Sequence, residues 1–233
     1  MLPVTVTKKI DRPKSLTEIA VERIRASIVE GTLALGGQIS EVALAQELGI
    51  SKTPVREALL RLREVGLVDI HPQRGTYVFS ARAEDVVQIC RFREVLESTA
   101  LAEAMAADRD GLIAALKDNL SAMKEAHRTG DARVVPELDA EFHRVIMQRS
   151  NNDYLRNAYR LIDHKIHALR SRLQTTNEQL AHCQTNHAII IKNIRDGKLA
   201  QAQTMLKRHI RDTQDAYLEA IKVAPSASST HPG

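Results

Sequence analysis

The sequence predicts a mainly α-helical chain in two parts. An amino-terminal unit of three short helices is closed by a β-hairpin, and a bundle of six antiparallel helices follows. Three observations predict this. Apolar residues recur at three- and four-residue spacing along most of the chain, the period changes to two between Gly66 and Phe79, and beyond Ala81 no strand pattern returns. A length of 233 residues suits two domains, and 43% apolar against 27% charged residues is enough to build their cores. Aromatic content of 3% with no Trp argues against base-stacking platforms, aromatic cages and carbohydrate grooves. No apolar run approaches the roughly 18 residues of a membrane span. Cys90 and Cys183 are too few for a disulfide scaffold, so a reducing, cytoplasmic compartment is expected.

Residues 1–14 are polar and mixed and read as a flexible arm. At Ser15-Leu16-Thr17-Glu18 a hydroxyl and a carboxylate stand at capping-box spacing, each able to satisfy an orphan amide of a new helix. Leu16, Ile19, Ala20, Ile24 and Ile28 form its apolar stripe, and Gly31 stops it. Ser40 caps a second helix carrying Val42, Leu44, Ala45 and Leu48, which ends at Gly49. The third starts at Ser51 or Thr53, with Pro54 in the first turn where a missing amide is harmless. It turns Val55, Ala58, Leu59 and Leu62 inward and stops at Gly66. Leu67, Val68 and Ile70, a His71-Pro72-Gln73-Arg74-Gly75 turn, then Thr76 to Phe79 make the hairpin. Helix, helix–turn–helix, hairpin is the order of a winged helix–turn–helix, placed at 15–80. The second domain, 81–223, is read as helices over about 83–107, 111–129, 132–149, 153–174, 178–196 and 198–222; Pro136 suits a first turn, which would move the third start nearer 135. The Ser- and Pro-rich tail 224–233 is expected to be disordered.

Charge placement says more than the formal +4. Residues 1–80 hold eleven basic and nine acidic side chains, yet 51–63 holds Lys52, Arg56, Arg61 and Arg63 against Glu57 alone. A few aimed cations beside the hydroxyls of Ser51 and Thr53 suit a helix that enters a major groove. Arg56, one turn in, can reach a guanine edge with a bidentate bond. At the hairpin tip, Gly75 permits a positive φ or close approach, and Arg74 can enter a minor groove.

In the second domain Asp139 and His143 stand four apart on one helix face. His187 lies among Ile190, Ile191 and Ile194, and His209 follows Met205 by four. One carboxylate and three imidazoles on helices that share a core have the chemistry to hold a divalent transition metal with open positions. Hydrogen-bonded core histidines are the alternative. His71, His127, His164, His167, His182 and His231 are read as surface or structural, and Cys183 as a partly buried thiol.

The stretch Ser40-Glu41, Leu44-Ala45, Leu48 to Leu59, Leu62, Gly66 to Val68 and Arg74-Gly75 resembles the DNA-binding domain of GntR-family bacterial transcription regulators. The resemblance implies DNA contacts at Ser51, Lys52, Thr53, Arg56, Arg74 and Gly75. Members often carry Arg where Lys52 stands, and some have an Arg where this chain has Val42; a Lys lacks the planar fork that reads a base edge. Arg93-x-x-Leu96-Glu97, Asp139-x-Glu141-Phe142-His143, Asn152-x-x-Leu155, His187-x-x-Ile190-x-x-x-Ile194-x-x-Gly197 and Met205-x-x-x-His209 resemble the FCD effector domain of the FadR subfamily, in its shorter VanR-like branch. Asn193 departs from the small residue common there.

That resemblance implies metal ligands at Asp139, His143, His187 and His209, with zinc first and nickel, manganese or iron as alternatives. It also implies a small organic acid effector, for which Arg93 and Arg170 are the candidate partners. A single winged domain reads few base pairs, so a homodimer on a palindromic operator is expected, with the acid releasing a repressor from DNA. The rival readings are a metal-dependent enzyme with a fused DNA-binding domain and a constitutive DNA-binding dimer.

Overall fold

The computed structural model describes residues 13–131, 134–170 and 176–223. Among these, the amino-terminal part runs α1 (Leu16–Glu30), β1 (Gln38–Ile39), α2 (Glu41–Leu48), α3 (Lys52–Glu64), β2 (Val68–His71) and β3 (Gly75–Val78). Ser15 and Glu18 cap α1 reciprocally: the Glu18 amide donates to Ser15 Oγ at 3.2 Å and the Ser15 amide to Glu18 Oε2 at 2.8 Å. Ser40 Oγ likewise accepts from the Ala43 amide at the start of α2. The inward stripe of α3 is as expected, with Val55, Ala58, Leu59 and Leu62 all buried. On α1 the stripe is shifted. Thr17, Ala20, Ile24 and Ile28 are buried, whereas Leu16 and Ile19 face outward because the face presented to α3 runs through Thr17, whose hydroxyl donates to Glu57 at 2.8 Å. The two-residue β1, too short to leave a period in the sequence, pairs with β3 and completes a three-stranded antiparallel sheet in the order β1-β3-β2.

The carboxy-terminal part runs α4 (Ala83–Thr129), α5 (Val135–Gln148), α6 (Asp153–Arg170), α7 (Asn177–Arg195) and α8 (Leu199–Val223). The first two helices read from the sequence are both present: α4 is two helical halves that meet at a kink where Asp108 leaves helical geometry (φ −156°, ψ 80°). Its carboxylate caps the second half by accepting from the Gly111 amide at 2.9 Å. Pro136 stands in the first turn of α5. The arm to residue 12, residues 171–174 of the expected fourth helix and the tail from 224 lie outside the described residues.

Two hydrophobic cores result. One joins α1, α2, α3 and the sheet through Ile24, Ile28, Leu59, Leu62, Leu67 and Val78; the other fills the bundle around Leu101, Leu112, Leu116, Phe142, Ile190 and Ile210. Helix α6 belongs to both. Ile166 and Leu169 are in the bundle core, but Ala168 is buried in the core of the winged unit. One turn earlier, the Lys165 ammonium lies 5.7 Å from the centroid of the Phe79 ring.

The turn from α3 into β2 passes under that lysine. Gly66 has φ +69°, and a Cβ there would sit 2.8 Å from Lys165 Cε and Nζ. Gly66→Ala is therefore expected to lower unfolding free energy by about 1–2 kcal/mol through left-handed strain. Urea titration checks this; an unchanged midpoint would remove the constraint.

Candidate metal centre and nucleic-acid interface

Helix α3 turns about 100° per residue, which places Lys52, Arg56 and Arg63 along one exposed ridge beside Thr53. Arg61 falls on the opposite edge, toward Glu18 of α1. Ser51 is the N-cap residue, but its hydroxyl makes no capping bond and so is free to meet a phosphate or base. Arg56 is not free: its Nε and Nη2 donate to Glu41 Oε2 at 3.2 and 3.0 Å, which fixes the guanidinium across the helix–turn–helix. At the wing, Gly75 has φ +114°, and the Tyr77 hydroxyl donates to the Arg74 carbonyl at 2.9 Å while the Arg74 side chain stays exposed. Val42 is 45% exposed at the outer face of α2.

In the bundle, α5, α7 and α8 bring Asp139, His143, His187 and His209 together, all buried. His209 Nε2 lies 3.2 Å from His143 Nε2 and 3.3 Å from His187 Nε2. Asp139 Oδ1 is 3.4 Å from His187 Nε2 and 3.8 Å from His209 Nε2. The surrounding residues fix each group. Phe142 stacks on the His187 ring with centroids 3.6 Å apart and an interplanar angle of 5°. Glu97 of α4 binds His143 Nδ1 at 2.6 Å and also accepts from Arg93 Nε at 2.8 Å. A carboxylate on one imidazole nitrogen orients the other toward a metal position, the usual support of a histidine ligand.

Electrostatics agree with that use. Burial holds the imidazoles neutral, aided by the nearby guanidinium groups: His143 titrates well below its ordinary value, His187 at about 4 and His209 at about 3. Burial alone would raise the Asp139 pKa, but the Arg170 guanidinium beside it holds it well below the carboxylate range. A carboxylate and neutral imidazoles form the donor set that a divalent ion requires, so these residues fit a metal.

The two candidate arginines are in the same core. Arg93 is fully buried, and its terminal nitrogens Nη1 and Nη2 have no partner among the described residues. Arg170 is 3% exposed; its Nε lies 2.5 Å from Asp139 Oδ2 as an ion pair without hydrogen-bond alignment, and Nη1 and Nη2 have no partner among the described residues. The buried hydroxyls of Tyr159 and Tyr217 are unpartnered too, and both phenols are close enough to Arg93 and Arg170 for the guanidinium charges to act on them.

Several of these residues were missed in the sequence. Glu97 stood in a quoted motif without a role, and Tyr159 and Tyr217 left no polar pattern. Cys183 was read as a mere thiol, yet its Sγ is 3.3 Å from Asp139 Oδ1. The signal was present, since Cys183 and His187 share the four-residue spacing of Asp139 and His143. Burial, reinforced by Asp139, pushes this thiol well above its ordinary pKa, so it is protonated at neutral pH. Elsewhere, His167 and His182 make outward pairs with Glu137 and Asp212, and Glu141 is bonded to Arg144 rather than to the cluster.

A winged helix–turn–helix with a cationic recognition helix, joined to a helical domain, defines a two-domain DNA-binding transcription regulator. Residues 16–78 match the bacterial regulatory proteins of the gntR family, and residues 88–212 match the FCD domain. The chain belongs to the GntR family of bacterial regulatory proteins, in the branch that carries an FCD domain. It is 27% identical over 215 residues to a probable D-xylose utilization operon transcriptional repressor of Paenarthrobacter nicotinovorans, covering 92% of each chain. It is 30% identical over 189 residues to the Nta operon transcriptional regulator of Aminobacter aminovorans, covering 81% of this chain and 88% of that one. Its fold is similar to that of E. coli McbR/YncC, with a TM-score of 0.77 at 23% identity over 90% of this chain and 100% of the other. The family and these relatives are transcription regulators, not enzymes. No helix among the described residues is long and apolar enough to cross a membrane.

The depressed imidazoles set a pH dependence. Above their ordinary pKa of 6.5, His187 and His209 are neutral in both folded and unfolded chains; below it the unfolded chain takes up protons that the folded core refuses until about 4 and 3. Metal-free protein is therefore expected to lose thermal stability steadily from neutral pH to about pH 5, and His209→Asn to flatten that slope. Calorimetry of chelator-treated protein checks it; a flat profile would mean that the imidazoles are not held neutral.

Proposed function

We propose that this regulator is a repressor that binds a palindromic operator as a homodimer. A small carboxylate, sensed in a metal-containing pocket of the bundle, releases it from DNA. The observation that carries this reading is the group of unpartnered guanidinium nitrogens on Arg93 and Arg170 beside the cluster of Asp139, His143, His187 and His209. Buried N–H donors without acceptors are costly, and a core does not retain them without a use. Two guanidinium groups and two carboxylates cancel in formal charge, so a divalent ion at the imidazoles leaves the core positive and suited to an anion. When bound, the metal supplies Lewis acidity at its open positions, with zinc the first choice for this donor set and nickel, manganese or iron as alternatives.

The chain's own residues do the rest. Arg93 and Arg170 pair with the carboxylate of the effector, and the phenols of Tyr159 and Tyr217 are available for its hydroxyl or keto oxygens. On DNA, Lys52, Ser51 and Thr53 meet phosphates and base edges, Arg56 reads a base, and Arg74 with Gly75 enters the neighbouring minor groove. Helix α6 transmits between the sites. Arg170, which pairs with Asp139, is two residues from Ala168, which packs in the winged core. An effector that re-pairs Arg170 shifts α6 and with it the tilt of the DNA-binding domain. A coupling of about 1–3 kcal/mol then changes operator occupancy substantially. The name of the Paenarthrobacter nicotinovorans relative, a probable repressor, supports repression, and a role on DNA favours a cytoplasmic protein.

The test begins with duplex selected by the full-length protein from a random pool, which is expected to be two-fold symmetric. On that duplex a panel of hydroxy, keto and dicarboxylic acids is titrated by fluorescence anisotropy. At least one acid is expected to weaken binding five-fold or more in wild type and to have no effect on Arg93→Met or Arg170→Met. Failure of every acid, with and without added zinc, would leave a constitutive DNA-binding dimer. Independently, Arg56→Ala is expected to cost about 1–3 kcal/mol of specific binding and to relax sequence preference. Unchanged affinity would remove Arg56 from the interface. His187→Ala with His209→Ala is expected to abolish the stoichiometric metal found in protein purified without chelator, as read by elemental analysis.

A further inference from the structure

We propose that Cys183 is a direct metal ligand through its thiolate, so that the centre of this chain is a mixed oxygen, nitrogen and sulfur site. The proposal rests on the metal reading above and adds a donor that the one-carboxylate, three-imidazole set does not contain. One turn of α7 separates Cys183 from His187, which puts both on the face turned toward α5 and α8. The sulfur is 3.3 Å from Asp139 Oδ1 and 3.9 Å from His187 Nε2. The donor atoms of Asp139, Cys183, His187 and His209 all lie within 4.8 Å of one another. Around a tetrahedral ion with bonds of about 2.0–2.3 Å, ligand atoms stand roughly 3.3–3.6 Å apart. Three of the six edges, 3.3 Å for His187–His209, 3.4 Å for Asp139–His187 and 3.3 Å for Asp139–Cys183, have that length, while Asp139–His209 at 3.8 Å, Cys183–His187 at 3.9 Å and Cys183–His209 within 4.8 Å close a little further around an ion.

A packing role does not explain this position as well. Cys183 borders the small apolar cluster of Met123, Ala126, Val135 and Leu180, whose packing makes no demand for a thiol. Its sulfur points to a carboxylate and an imidazole instead. On metal binding the sulfur–hydrogen bond breaks, the metal–sulfur bond forms, and the proton passes to solvent. The consequence is selectivity: one soft donor among harder ones shifts preference toward zinc or cobalt and away from manganese, which is better served by oxygen and nitrogen. It also leaves His143, whose Nδ1–H donates to Glu97, outside the four-donor set, with its Nε2 lone pair available as a further ligand or as a hydrogen-bond acceptor from the effector.

Cobalt(II) tests this without any reference to DNA binding. Full-length protein stripped of metal is titrated with cobalt while its absorption is recorded. A sulfur-to-cobalt charge-transfer band in the near ultraviolet is expected to grow to one equivalent in wild type and in Cys90→Ala. It is expected to vanish in Cys183→Ser while the weak visible bands of bound cobalt remain. Visible bands at one equivalent in wild type without the charge-transfer band would overturn the thiolate and leave the carboxylate–imidazole centre standing. No uptake of cobalt at all would overturn the metal reading, and the thiolate with it. Should Cys183→Ser fail to fold, X-ray absorption of zinc-loaded wild type decides: a sulfur shell at about 2.3 Å supports the proposal, and a shell of nitrogen and oxygen alone overturns it.

Discussion

Arg93 with Glu97 and Arg170 with Asp139 put four formal charges into the buried interior of the helical bundle. Burying ions costs more than a hydrophobic core of the same volume would, and their mutual attraction repays that cost only when geometry is good and the remaining donors are satisfied. Here Arg93 donates to Glu97 at 2.8 Å, whereas Arg170 Nε meets Asp139 at 2.5 Å without hydrogen-bond alignment, and each guanidinium keeps both terminal nitrogens unpaired among the described residues. The bundle is therefore arranged around a buried charge distribution that suits the anion and the metal proposed above. The imidazoles follow from the same constraint. Kept neutral by burial and by the neighbouring arginines, they can serve as ligands at a pH where an exposed histidine would be partly protonated.

The winged domain solves a simpler problem by means visible in its sequence. Its caps, stops and inward stripe on α3 are local, each set by residues within a turn of one another, and so they were legible. On α1 the expected stripe is right for Ala20, Ile24 and Ile28 but not for Leu16 and Ile19 in the first turn, where packing against α3 buries Thr17 instead. Strand β1 was invisible for a different reason: its pairing with β3 is a long-range property of Gln38 and Ile39, not a local pattern.

In the bundle, the motif residues Asp139, His143, His187 and His209 could be picked out, and the structure brings them within a few ångströms of each other. What could not be read was which groups stand behind them. Glu97 reaches His143 across 46 residues of sequence, and Cys183 reaches Asp139 across 44. The Arg56–Glu41 pair was hidden in the same way, since an acid on α2 has no sequence mark that ties it to a base on α3. Residue type and periodicity identify chemistry along one helix. Orientation comes from side chains on another.

The double membership of α6 has a consequence for how the molecule comes apart. Because Ala168 is sealed in one core and Ile166 and Leu169 in the other, neither core can open without stripping apolar surface from the helix they hold in common. The two halves should then melt as a single cooperative unit rather than in succession. A small molecule gripped deep in the bundle would thereby lend its binding energy to the heat resistance of a DNA-reading half that it never touches.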